Sequence, residues 1–289
     1  MKEKKKAKNT PAYLADRARE AYECLRSQLG DEHIMTLMMK HTLASYLERC
    51  ENYEELYEIS KGFSEEALSR SDEINDIECL EMAKFPLLAC IATGRYAEAT
   101  QIGSVALPVI RKKFSHMTMD IAGYVLLLSE GYTKQELFSE SEKLLKKMIS
   151  DMDREEEDIT NPTYYMSVIN RAGVLNAMGK VKAASSTLRE FIKLLSLVRK
   201  EAFMNIDHSL QKEMDPAYVD LMSASIAREV ASHALSLIGD GSPFDFSSIA
   251  ESPAFAKHLH EQMDSAFEDF EDLLDSLSDE SFIPYPDEE

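Results

Sequence analysis

Apolar residues recur along this chain in steps of three and four, in long stretches rich in Ala, Leu, Glu, Lys and Met that are broken only by short polar segments. The pattern predicts an opening helix over about 11–28 and helical hairpins over about 33–70, 74–113, 116–153 and 161–202. Pro11 after Thr10 and Pro162 after Asn161 suit capped helix starts. A weaker periodic stretch opens at Asp215-Pro216, runs through Tyr218, Leu221, Ile226, Val230 and Leu235, and ends at Gly239; it reads as a degenerate fifth unit or an end cap. Gly239-Asp240-Gly241-Ser242-Pro243 is a turn cluster. Ser252-Pro253 then starts a last amphipathic helix, with Phe255, Leu259, Met263, Phe267, Phe270, Leu274 and Leu277 on one side.

The hairpins repeat one another. Asn52-Tyr53-Glu54-Glu55-Leu56, Arg95-Tyr96-Ala97-Glu98-Ala99 and Lys180-Val181-Lys182-Ala183-Ala184 are related phrases, and Leu137-Phe138-Ser139-Glu140-Ser141 is a fainter fourth. The large residues Tyr53, Tyr96, Phe138 and Val181 are 43, 42 and 43 positions apart, and Leu56, Ala99, Ser141 and Ala184 keep the same steps. Two positions before the large residue stand Glu51, Gly94, Glu136 and Gly179; six before it stand Leu47, Cys90, Tyr132 and Leu175. The columns describe a helix, a tight turn and a second helix whose small residue lets the two backbones come close.

These residues resemble the tetratricopeptide repeat, and the period resembles the longer variant of kinesin light chains. Gly30-Asp31-Glu32-His33 leading through Thr36-Leu37 to Leu43-Ala44, and Asn161-Pro162-Thr163 leading through Asn170 to Ala172, share that family's lead-in at one eleven-residue offset. The resemblance covers about residues 12–200. It implies an all-α, right-handed solenoid of four to five hairpins with a C-terminal capping or tail helix. It also implies a non-enzymatic adaptor or scaffold that takes a peptide or helix in a concave groove lined by the first helices. Repeat packing would then rest on Ala44, Tyr53, Tyr96, Ala99, Phe138, Val181 and Ala184. Groove candidates are His41, Ser45, Lys84, Asn170 and Asn176; the two asparagines can grip a peptide's main chain, because an amide both donates and accepts. A two-carboxylate clamp would need more Lys, Arg and Asn in register than stand here.

The 44% hydrophobic and 29% charged residues are those of a chain that buries a core. The net charge of −20 disfavours a nucleic-acid partner. That charge is uneven, with about +4 in the first eight residues and about −24 after them, so a short basic tail (1–10) precedes an acidic body. The organisation read from this is a basic tail over 1–10, a repeat domain over 11–240, and a linker, helix and acidic tail over 241–289. No signal peptide or membrane span is read, and Cys24, Cys50, Cys79 and Cys90 lack metal-ligand spacing. A cytoplasmic protein with reduced thiols is expected, with nuclear entry through the Lys-rich start as the variant.

From Asp264 to Glu289 acidic residues recur without a Lys or Arg. The helix over 252–277 is open to three readings: a cover for the solenoid's end or groove, a detachable ligand-like segment in intramolecular contact with it, or a disordered tail. Ser276, with Asp279 three residues on, suits an acid-directed kinase. No catalytic motif is found, no cofactor is implied, and His258-x-His260 places its two imidazoles on different helix faces, against a metal site; an enzyme of unrecognised type or a metal-binding protein is the remaining alternative function.

Overall fold

A computed structural model describes residues 10–206, 215–239 and 244–250. The basic tail before residue 10, the His258-x-His260 pair, the helix over 252–277, its contact with the groove, Ser276 and the acidic tail lie outside the described residues. Twelve helices and no strand are found among the described residues.

Helix α1 spans Pro11–Leu29. The first hairpin is α2 (Ile34–Arg49) with α3 (Tyr53–Ser60) and α4 (Phe63–Ser69); the second is α5 (Asp76–Ala92) and α6 (Tyr96–Lys113). The third is α7 (Thr118–Lys134) and α8 (Phe138–Arg154), and the fourth α9 (Pro162–Ala177) and α10 (Val181–Met204). Helix α11 (Pro216–Ser236) packs along α10 and reaches α9 as the first helix of an incomplete fifth unit, and the short α12 (Phe246–Ala250) touches α11 and α9. Start signals act as their chemistry dictates: Thr10, Asn161 and Asp215 each accept a backbone N–H from the first turn, and Pro11, Pro162 and Pro216 follow them. His33 caps α2 through Nδ1, 3.2 Å from the Met35 N–H.

Each hairpin turn is built on the same pair of columns. Asn52 N–H donates to Leu47 O at 3.0 Å, Arg95 to Cys90 at 2.7 Å, Leu137 to Tyr132 at 2.9 Å and Lys180 to Leu175 at 2.9 Å. This six-to-one bond requires a left-handed residue just before its donor. Gly94 (φ 73°) and Gly179 (φ 72°) supply it freely, whereas Glu51 (φ 55°) and Glu136 (φ 60°) adopt it under strain. Glu136→Gly is therefore expected to raise stability by about 0.5–1 kcal/mol in urea denaturation, the relief of backbone strain outweighing the extra freedom of the unfolded chain.

Packing falls more on one column than on its neighbour. Leu56, Ala99, Ser141 and Ala184 are all fully buried, and so is Ala44 on α2, while Tyr53, Tyr96 and Phe138 are half-buried. Val181 departs from the expected packing set: the smaller side chain at the start of α10 is 39% exposed, while Tyr53 and Tyr96 of the same column pack against the core. A second departure is the break in the first hairpin. The helix expected to run on to 70 stops at Ser60 and restarts at Phe63, with Gly62 at φ 76° between them. The bend sinks Phe63 completely under the Lys40 ammonium, 4.1 Å from its ring centre, and lets Ser64 donate to Ala83 O at 2.8 Å.

First helices touch first helices along the stack, α5 on α7 and α7 on α9, whereas α6 and α8 make no comparable contact. The layer whose members lie closer is the inside of the curve, so α5, α7 and α9 form the concave face. Helix α1 covers the leading end through Ala15 and Ala18, and Arg19 grips Glu55 on α3 with two bonds of 2.7 and 2.9 Å.

Candidate functional site: the concave face of the fourth hairpin

Helix α9 aligns Tyr165, Ile169, Gly173 and Asn176 at helical spacing, with Asn170 beside them. Ile169 is fully buried and anchors the helix, which leaves the polar and small positions to meet whatever lies against them. What lies there is the chain's own backbone, at Gly239 just after α11 and from Phe244 into α12. Asn170 Oδ1 accepts the Phe246 N–H at 2.8 Å, and Asn176 Oδ1 accepts the Gly239 N–H at 3.1 Å. Asn176 is completely buried. A buried amide without a partner would cost about 1–3 kcal/mol, so these bonds hold the asparagines as much as the backbone they meet.

Gly173 sets the depth of the contact. A Cβ built there would stand 1.8 Å from the Phe244 carbonyl oxygen and 2.8 Å from its carbon, so only glycine allows the backbone this close. Phe244 is buried, Ile249 is 1% exposed, and the Phe246 ring tilts against Tyr165 at 5.6 Å between centres. The segment starts its own helix: Asp245 Oδ1 accepts the Ser248 N–H at 2.7 Å, and Ser248 Oγ accepts the Asp245 N–H at 3.1 Å, a reciprocal capping arrangement. Facing it from α7, Glu130 has its carboxyl pushed above the usual range by burial and further by the Asp245 charge, with Lys134 acting the other way. Burial also raises the Tyr165 hydroxyl.

The remaining groove candidates lie apart from this constellation. His41 is corrected from groove wall to inter-hairpin link: it is buried, its Nε2 is 3.0 Å from Glu81 on α5, and its ring lies 5.7 Å from that of Phe85. Ser45 and Lys84 are half-buried on α2 and α5, three and two hairpins away from the asparagines. A separate cavity of about 720 Å³ opens on the outer layer beside the α3–α4 break, lined by Tyr57, Lys61, Pro86, Glu98, Val105 and Val109. Tyr57 and Glu98 of its lining are already bonded to each other, at 3.0 Å, and the α9 face has the stronger chemical claim. Tyr165 and the segment 244–250 were the parts missing from the sequence-derived set. The signal for the segment was Phe-Asp-Phe-Ser-Ser-Ile, two aromatic residues and an aliphatic one around a capping pair.

Among the described residues no group of three or more His, Cys, Asp or Glu is placed to hold a metal ion, and no helix is long and apolar enough to cross a membrane. Burial pushes the Cys79 and Cys90 thiols up to about 11, which keeps them protonated and inert.

No protein-family model and no curated protein matches this chain. Solved structures do. A putative kinesin light chain with nearly identical TPR-like repeats from Podosopora anserina is 15% identical, with a TM-score of 0.51 over 64% of this chain and 88% of its own. BtubC (BKLC) from P. vanneervenii is 13% identical, with a TM-score of 0.51 over 98% of this chain and 95% of its own. With the turn columns and the two-layer stack, these likenesses make the chain a tetratricopeptide-like repeat solenoid.

Proposed function

We propose that this chain is a non-enzymatic interaction scaffold whose concave groove binds a peptide or short helix of another protein, in the manner of an adaptor. The observation that supports it is the pair of asparagine amides on α9 that accept main-chain N–H groups seated against them. Recognition of main chain by fixed amides, with side chains sorted by neighbouring aromatic and small residues, is what a peptide-binding groove requires. The partner is a protein, not nucleic acid or a membrane, and the setting is cytoplasmic, or nuclear if the lysines at the start of the chain act as an import signal. Affinity capture with the full chain and with Asn170→Ala, both verified as folded, tests this. Partners that drop by tenfold or more from the variant are expected; an unchanged set, or catalytic turnover with no partner, would sink the reading.

A self-regulated form is favoured by one further observation: Gly239 and residues 244–250 already lie against the groove, so the acidic stretch over 252–277 follows directly in sequence from an occupied site. In that form the stretch or its phosphorylation at Ser276 sets access. Deleting 252–289 should raise partner affinity severalfold, and no change would count against it.

A further inference from the structure

We infer that residues 259–277 dock along the outer side of α10 and complete the fifth unit as its second helix. The seat lies outside the groove and is independent of the partner the groove takes.

Helix α10 is apolar on two sides. Ala184, Leu188, Phe191 and Leu195 sink into the stack, while across the helix Leu194, Leu197 and Met204 are 48, 56 and 74% exposed. A second apolar side is what a solenoid presents to the unit that follows, and α11 has no second helix among the described residues. Beside the two leucines run Lys182, Arg189, Lys193 and Lys200, all exposed and within about 40° of one another around the helix axis. Among the described residues none of the four has an ion-pair partner, and the only acids on α10 are Glu190 and Glu201. On a chain of net charge −20, this unpaired row of cations beside bare leucines calls for an acidic amphipathic helix.

The chain carries one in its own sequence. Leu259, Met263, Phe267, Phe270, Leu274 and Leu277 recur in steps of three and four, with Asp264, Glu268 and Asp275 along one edge. The charges match in spacing: Arg189, Lys193 and Lys200 are four and then seven positions apart, and so are Asp264, Glu268 and Asp275. In the helix that this pattern predicts, the acids follow the apolar side in the sense of rotation in which the cations precede the leucines of α10. The charged edges therefore meet when the two helices run parallel, which is how the second helices of successive hairpins run. Length allows it. Helix α12 ends at Ala250 against α11, which packs along α10. The fourteen residues from there to Asp264 reach up to about 46 Å when extended, against about 20 Å for two helix widths. Exposed ion pairs contribute little individually, so apolar burial holds the segment and the charges fix its direction and register.

Amide hydrogen exchange over residues 259–277 of the full chain is the test. Exchange should be at least tenfold slower than in an unstructured chain. Lys193→Glu with Lys200→Glu should remove most of that protection, and so should Leu194→Ser with Leu197→Ser. Adding Glu268→Lys and Asp275→Lys to the lysine variant should restore it. No protection in the intact chain, which would leave the face to another protein, or protection indifferent to the α10 changes, would overturn the proposal. Protection lost on Asn170→Ala instead would put the segment in the groove, and protection that rises with protein concentration would make the seat an interface between copies; either result overturns it too. Should a variant not fold, carbodiimide cross-linking of the intact chain decides. Lys193 and Lys200 should couple to Glu268 and Asp275 within one chain, and cross-linked peptides that lack these pairs would refute the docking.

Discussion

Gly173→Ala should expel residues 244–250 from the groove while leaving the solenoid folded. The added methyl has nowhere to go: its carbon would lie 1.8 Å from a carbonyl oxygen and 2.8 Å from a carbonyl carbon, both backbone atoms that cannot rotate away. Within α9 itself the change is favourable, since alanine exceeds glycine in a helix interior by about 1 kcal/mol. The two consequences pull in opposite directions and are read separately. Hydrogen exchange at the Phe246 amide should accelerate by orders of magnitude as its bond to Asn170 is lost, and Phe244 and Ile249, both buried now, should become accessible to protease. The thermal midpoint of the hairpins should move little. An unaltered Phe246 amide would mean that α9 can shift to make room, and would remove Gly173 from the site.

The expected eviction also marks the line between what the chain's pattern discloses and what it conceals. The turn columns were legible because a repeat array solves one packing problem several times, so Glu51, Gly94, Glu136 and Gly179 had to share a backbone conformation and Leu47, Cys90, Tyr132 and Leu175 had to share a carbonyl's role. Asn170 and Asn176 stood out in the sequence as polar amides on an apolar helix, and both meet the chain's own backbone at Phe246 and Gly239. His41 was misread because its fate depends on Glu81, forty positions away, and helical periodicity carries no information about a partner at that separation. The break at Gly62 was hidden because apolar spacing continues smoothly from Leu56 through Phe63 to Leu68. The occupant of the site was hidden most completely. Phe244 and Phe246 follow a turn cluster and precede a longer amphipathic stretch, so nothing local distinguishes them, and their role exists only through α9, some seventy residues earlier.

That separation of scaffold from site leads to a second large effect, at the opposite end of the solenoid. Phe63→Ala should destabilise the first hairpin by about 3–5 kcal/mol, through lost burial and the cavity left behind. The position offers little chance of collapse: Phe63 is completely buried, its backbone is pinned by the bend at Gly62, and Ser64 next to it is tied to Ala83 on α5. Lys40, half-buried above the ring, would lose its aromatic partner as well, and burial already lowers its pKa. Because each hairpin packs only on its neighbours, the loss should appear as an early, partial unfolding of α1 to α4 and not as a uniform drop in stability. A melt followed by circular dichroism should then split into two steps, while the Phe246 amide stays protected until the second. A single cooperative transition displaced as a whole would show instead that the bend at Gly62 couples the first hairpin to the groove of the fourth.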